Sequence, residues 1–151
     1  MARNAKIVHK AMSSVKSENT TPEIILRKAL WKKHCRYRIN CRDILGKPDI
    51  VIRKYNIVVF VDGDYWHGHN WALRGKKSLE EELEAYSPYW QSKIRRNVER
   101  DFDTTIRLRD DGWTVLRFWG SDIQNDVGLC VDAIISAIQR NRQKSVKEKS
   151  N

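Results

Sequence analysis

The sequence predicts an α/β domain with a mixed central sheet flanked by helices, and three observations carry that reading. Two short β-branched runs, Ile50 to Ile52 and Ile57 to Val61, lie either side of a polar turn and read as a hairpin whose second strand is buried on both faces. Trp90, Ile94, Val98, Phe102 and Ile106 recur at steps of four, which marks a long helix from Ser87 or Pro88 to about Asp111. A further apolar run, Val115-Leu116-Arg117-Phe118-Trp119, follows that helix as a buried strand. The order of elements is helix, strand, strand, strand, long helix, strand, helix, an α/β pattern.

In order along the chain, residues 1–19 are polar and basic with one apolar stripe (Ile7, Val8, Ala11, Met12, Val15), and form an N-terminal arm. Thr20, Pro22 and Glu23 start the first helix as hydroxyl cap, first-turn proline and capping-box acid. It runs to about Lys33 with Ile25, Leu26, Ala29 and Leu30 inward. Cys35 to Asn40 alternates as a half-exposed strand, and Arg42 to Lys47 is a loop closed by Gly46. Beyond the hairpin, Asn70 to Lys77 is a loop carrying Trp71, Arg74, Lys76 and Lys77. Ser78 to Glu84 is an acidic surface turn of helix. Gly112 ends the long helix, Gly120 to Ile123 turns the chain, and Val127 to about Ile138 closes the domain with Val131, Ile134 and Ile135 inward. The nearly all-polar residues 140–151 read as a disordered basic tail, which leaves 20–139 as the folded domain.

Composition narrows the function classes. A chain of 151 residues with 40% hydrophobic content supports one domain with a real core. Its 29 Lys and Arg against 19 Asp and Glu give a net charge of +10, and the isoelectric point near 9.7 points to an anionic partner, nucleic acid first. No apolar stretch approaches a membrane span and no secretory segment follows Met1, so a cytoplasmic protein is expected. Cys35, Cys41 and Cys130 are odd in number and form no paired motif, so free thiols are expected.

The chemistry concentrates between residues 48 and 69. A hairpin brings Asp49, at the start of its first strand, toward Asp62, just after its second, and hard divalent ions take carboxylate and backbone oxygen. The Val61 carbonyl is a further donor. His67 has the character of a general base near neutral pH, with His69 the less certain imidazole. Tyr65 and Trp66 suit stacking on, or wedging between, bases. Asp101 falls on or beside the apolar face of the long helix and needs a basic or imidazole partner there. Structural readings stand beside each: Asp49 and Asp62 as turn formers, Glu23 as a cap, the aromatics as covers for the sheet edge.

Taken together, Asn19-Thr20-Thr21-Pro22-Glu23, Gly46-Lys47-Pro48-Asp49, Val58 to His69, Asn97-Val98-Glu99-Arg100-Asp101 and Gly112-Trp113-Thr114-Val115-Leu116 resemble the very short patch repair endonucleases over residues 8–122. The resemblance implies a restriction-endonuclease-like fold of the PD-(D/E)XK superfamily and nicking of duplex DNA at T:G mismatches. It implies Mg2+ on Asp49 and the Val61 backbone oxygen, with His67 activating water and Glu23 and Asp101 in the site, and DNA intercalation by Tyr65, Trp66 and Trp90. The chain departs from the family at two places. Where members hold zinc through three cysteines and a histidine, it has Asp64, His69, Trp71 and Ser121, so zinc is expected to be absent and hydrogen bonds from Asp64 or Ser121 and packing of Trp71 to take its place. The first active-site histidine is here Asp62, an added carboxylate able to bind metal. Double-stranded DNA is the expected partner, with mismatch-repair proteins as further partners and a monomer as the default for a nickase. The alternatives are a Vsr-like homing or restriction nuclease cutting matched DNA, and a DNA-binding module without catalysis.

Overall fold

The computed structural model describes residues 19–64 and 67–150. The N-terminal arm up to residue 18 and the proposed wedge residues Tyr65 and Trp66 lie outside the described residues. Helix α1 (Thr21–Lys32) begins as its sequence dictates, the Thr20 hydroxyl accepting from the Glu23 backbone N–H. The Glu23 carboxylate reaches back one residue further than a capping box would, accepting from the N–H of Asn19 at 2.9 Å. Strands β1 (Ile50–Ile52) and β2 (Ile57–Asp62) pair antiparallel, with Ile50 opposite Val59 and Ile52 opposite Ile57. Strand β3 (Thr114–Trp119) lies parallel to β2, from Ile57 beside Thr114 to Asp62 beside Trp119. β2 is therefore the central strand of a mixed sheet in the order β1-β2-β3, which is why it is apolar on both faces.

Cys35 to Asn40, expected as a strand, contributes only a bridge between Arg38 and Val51. The backbone turns left-handed at Asn40, with φ 58°, so extended pairing stops two residues after it starts.

Strand alternation divides the core. Ile50, Ile52, Ile57 and Val59 face Leu26 and Leu30 of α1 together with Ile123 and Ile134 from the C-terminal helices. Val51, Val58, Phe60 and Val115 face Ile44 and Leu108 on the other side. Short helices α2 (Asn70–Leu73) and α3 (Leu79–Leu83) precede the long helix α4 (Pro88–Asp110). Leu83, Tyr86, Trp90 and Ile94 make a third cluster there. The acidic patch expected on the surface sends Glu82 inside, where Arg74 Nη1 donates to it at 2.7 Å and the Tyr86 hydroxyl at 3.1 Å.

The step-of-four stripe expected to face the core is corrected along α4. Each step of four advances about 40° beyond a full turn, so the row spirals outward and Phe102 is 70% exposed. The buried row is Trp90, Ile94, Asn97, Thr104 and Leu108, and Asp101 falls on that line at helical spacing.

β3 leads into α5 (Gly120–Asn125), where a turn was expected, and α6 (Val127–Ser150). Helix α6 continues about twelve residues past the expected end near Ile138, so the segment read as a disordered tail is helical up to Ser150. Its Lys, Arg, Gln and Glu residues are good helix formers and, at 142–148, are exposed.

Candidate active site

A cleft of about 400 Å³ opens at the end of the sheet where β2 finishes, and Glu23, Asp49, Asp62, His67 and Asp101 all line it. The fold thus brings together the five side chains that the sequence singles out.

Asp49 arrives on a loop whose backbone is left-handed at Gly46 and Lys47, with φ 79° and 50°. A Cβ on Gly46 would sit 2.5 Å from Thr104 Cγ2, so only glycine lets this loop lie against α4. The Val61 N–H donates to Asp49 Oδ2 at 2.6 Å, and among the described residues Asp49 has no ion-pair partner. Burial pushes its carboxyl up to about 7; the Val61 N–H and the Arg27 charge oppose this, while the neighbouring Glu23 and Asp62 add to it.

Asp62 closes β2 and is 6% exposed. Nη1 of Arg117, on β3, donates to both of its oxygens at 2.9 and 3.1 Å. The same guanidinium donates through Nε to the Thr105 hydroxyl at 2.8 Å, reaches the Asp101 carbonyl at 3.4 Å and lies over the Phe60 ring. Burial raises the Asp62 pKa, with His67 and Arg117 opposing.

His67 sits on the loop joining β2 to α2, its N–H donating to the Gly63 carbonyl. Its Nδ1 contacts Asp101 Oδ2, with Asp62 Oδ1 at 3.7 Å. With the Nδ1 proton given to a carboxylate, Nε2 is the basic nitrogen. Gly68 follows at φ 77°, where a Cβ would approach Val98 Cγ2 to 2.7 Å, so the loop is pressed onto the helix that supplies Asp101. Glu23, 3% exposed, accepts from Arg27 Nη2 at 3.1 Å.

Behind this loop lies a polar clasp. Asp64 Oδ1 is 2.7 Å from His69 Nδ1 and accepts from the Ser121 hydroxyl at 2.9 Å, while the Ser121 N–H donates to Asp64 Oδ2. The His69 ring stacks on Trp119 with centroids 4.1 Å apart. Three of the four positions that the resemblance assigns to zinc ligands are thus tied to one another by hydrogen bonds.

The ligand atoms of Asp62, His67 and Asp101 lie within 4.8 Å of one another. Within this trio Asp62 is paired with Arg117 and Asp101 accepts from the imidazole, so a cation drawn to the cleft would lean first on Asp49, with Asp62 beside it as a second oxygen donor. Asp49, buried and without an ion pair among the described residues, has the stronger need for positive charge.

Trp90 is buried in the chain alone. The side chain expected to intercalate is 4% exposed and packs among Leu83, Tyr86 and Ile94. The exposed aromatic of that turn is its neighbour Tyr89, at 59%. Sequence reasoning also missed Arg117 and Arg27. The signal for Arg117 was present, since a lone arginine inside an apolar strand requires a buried acid.

Carboxylates, one oriented imidazole and two guanidiniums converging at the end of a mixed sheet define a site able to hydrolyse a phosphodiester. The family model described as DNA mismatch endonuclease Vsr matches residues 4–73. The type II nicking enzyme V.NmeDIP of Neisseria meningitidis serogroup C is 42% identical over 130 residues, covering 86% of this chain and 84% of that one. The type II nicking enzyme V.HpaIIP of Haemophilus parainfluenzae is 39% identical over 111 residues, 74% of this chain and 75% of its own. The DNA mismatch endonuclease Vsr of Escherichia coli (strain K12) is 28% identical over 130 residues, 86% of this chain and 80% of its own. The chain belongs to the Vsr family of DNA endonucleases.

Proposed function

We propose that this endonuclease nicks one strand of duplex DNA beside T:G mispairs, as in very short patch repair, using Mg2+. The observation that carries the metal-dependent reading is Asp49, a buried carboxylate flanked by two further acids, with Arg27 nearby but no ion-pair partner among the described residues. Asp49, the Val61 backbone oxygen and the adjacent Asp62 would hold the ion. When bound, the ion supplies positive charge to the phosphate as its oxygens gain negative charge. His67 takes a proton from the attacking water at Nε2, and Asp101 keeps the ring in that tautomer and orientation. Arg117 holds Asp62 and the Asp101 backbone in place, and Glu23 closes the acidic wall. Tyr65 and Trp66 wedge beside the mispair. The protein works as a monomer in the cytoplasm, at the nucleoid and alongside mismatch-repair proteins.

A second reading, nicking or cutting of a defined matched sequence, is favoured by relatives that carry the name type II nicking enzyme. Cleavage of labelled matched, T:G-containing and single-stranded DNA, across varied flanking sequences and with Mg2+ or EDTA, separates the two. Metal-dependent nicking of the T:G duplex alone is expected. Equal cutting of matched duplex would sink the mismatch reading.

The clasp of Asp64, His69 and Ser121 supports a fold that needs no zinc. Elemental analysis of the purified protein should find zinc far below one equivalent, and EDTA should leave its secondary structure intact. Stoichiometric zinc would overturn the assignment.

A further inference from the structure

We propose that the outer face of α1 and the segment following it form a second DNA-contacting surface, which holds the duplex flank outside the cleavage cleft. This rests on DNA being the substrate.

Residues 24–42 contain seven Lys or Arg and no acid. Among the described residues only Arg27 of the seven makes an ion pair, with Glu23. Several cations elsewhere are balanced locally: Arg95 by Glu80, Arg107 by Asp103, Arg53 by Asp43. Residues 24–42 therefore present a continuous stretch of positive charge without a local acid, on which Lys28, Lys32, Lys33, Arg36 and Arg42 are exposed.

This surface joins the cleft. Arg27, Asn40 and Arg42 line the active-site cleft, and Arg27 also borders a shallow depression with Ile24, Lys28, Trp31, Lys32 and Tyr37. Trp31 is 54% exposed and carries the Arg36 guanidinium 3.6 Å above its ring centroid, with Tyr37 edge-on at 6.3 Å. A solvated basic helix face has no use for an exposed indole beneath a guanidinium. A sugar–phosphate backbone does, because the indole packs against sugar while the cations meet phosphate. The charge complementarity selects DNA over a second copy of this strongly basic chain.

The test reads binding, so it is decided whether or not the chain cuts. Affinity of the full chain for a long labelled duplex is measured by fluorescence anisotropy in EDTA as a function of salt. The parent is compared with Lys28→Glu/Lys32→Glu, with Lys28→Gln/Lys32→Gln, and with Lys144→Glu/Lys147→Glu as a control. Lys144 and Lys147 follow Asn141, which bonds Tyr55 and Thr114 at the other end of the sheet. All four lysines are exposed, so the fold tolerates the changes. For the α1 reversal the slope of log affinity against log salt should fall by about two, with affinity down about tenfold. The Gln pair should show a smaller loss in the same direction, and the α6 control little change. Equal losses on α1 and α6 would reduce the effect to net charge and overturn the proposal. So would unchanged binding, or a shift in self-association with Trp31→Ala while DNA binding holds. A parent that binds duplex but nicks no substrate would remove the proposed function and leave this comparison intact.

Discussion

Asp49→Asn should lower cleavage by about a thousandfold or more, and in the absence of metal it should make the protein more stable at pH 8. The two effects share one cause. In the folded chain the Asp49 carboxyl is pushed from 3.8 up to about 7 by burial, so between those values the folded state holds a proton that the unfolded chain has released. The group's contribution to stability is complete below about pH 3.8, declines as pH rises, and above about pH 7 becomes a full cost of up to about 4 kcal/mol. Asparagine keeps an acceptor for the Val61 N–H and carries no charge, so this decline should vanish. Thermal unfolding in EDTA at pH 5 and pH 8 checks it: the parent should lose melting temperature over that interval and the variant should lose less. Adding Mg2+ at pH 8 should restore the parent and not the variant. Identical pH profiles for the two proteins would mean that Asp49 is not the strained group in the cleft.

Arg117→Met should destabilise the fold by about 3–5 kcal/mol, because it leaves Asp62 buried with its compensating charge removed. Urea unfolding measures the loss. Adding Asp62→Asn to the same chain should recover much of it, since removing both charges leaves no buried ion, while cleavage stays low. Arg117→Lys should lie between parent and Met in stability. A lysine keeps the charge but cannot at once reach Asp62, the Thr105 hydroxyl and the Asp101 carbonyl. A loss below about 1 kcal/mol for Arg117→Met would show that the guanidinium is not what holds the two strands' ends together.

The central strand was legible because burial on both faces leaves a continuous β-branched run, and its pairing with β1 followed from the turn. The parallel partner was legible as a strand but not as a neighbour of β2, because sequence spacing says nothing about which edge a returning strand takes. Asp101 was found for a sound reason, an acid near an apolar helix face, and its partner proved to be the imidazole rather than a base alone. The steps of four in the same helix misled further along: Ile94 is buried but Phe102 is not, since four residues exceed one turn. Residue type alone did not show that Trp90 packs against Leu83, Tyr86 and Ile94 while its neighbour Tyr89 is exposed. Arg117 went unread because its need for a buried acid is visible locally, whereas the acid is 55 positions away.

That separation has a consequence for the cell that makes the protein. A ribosome releases Glu23, Asp49, Asp62 and His67 well before it releases Arg117, and β2 lacks its parallel neighbour until β3 has emerged. Strands so distant in sequence pair late. Half-made chains and prematurely terminated ones therefore carry the acids and the imidazole that line the cleft but not the strand that locks them into place. A chain stopped before Thr114 should therefore show no cleavage, because the strand that completes the cleft is the last of the three to be made.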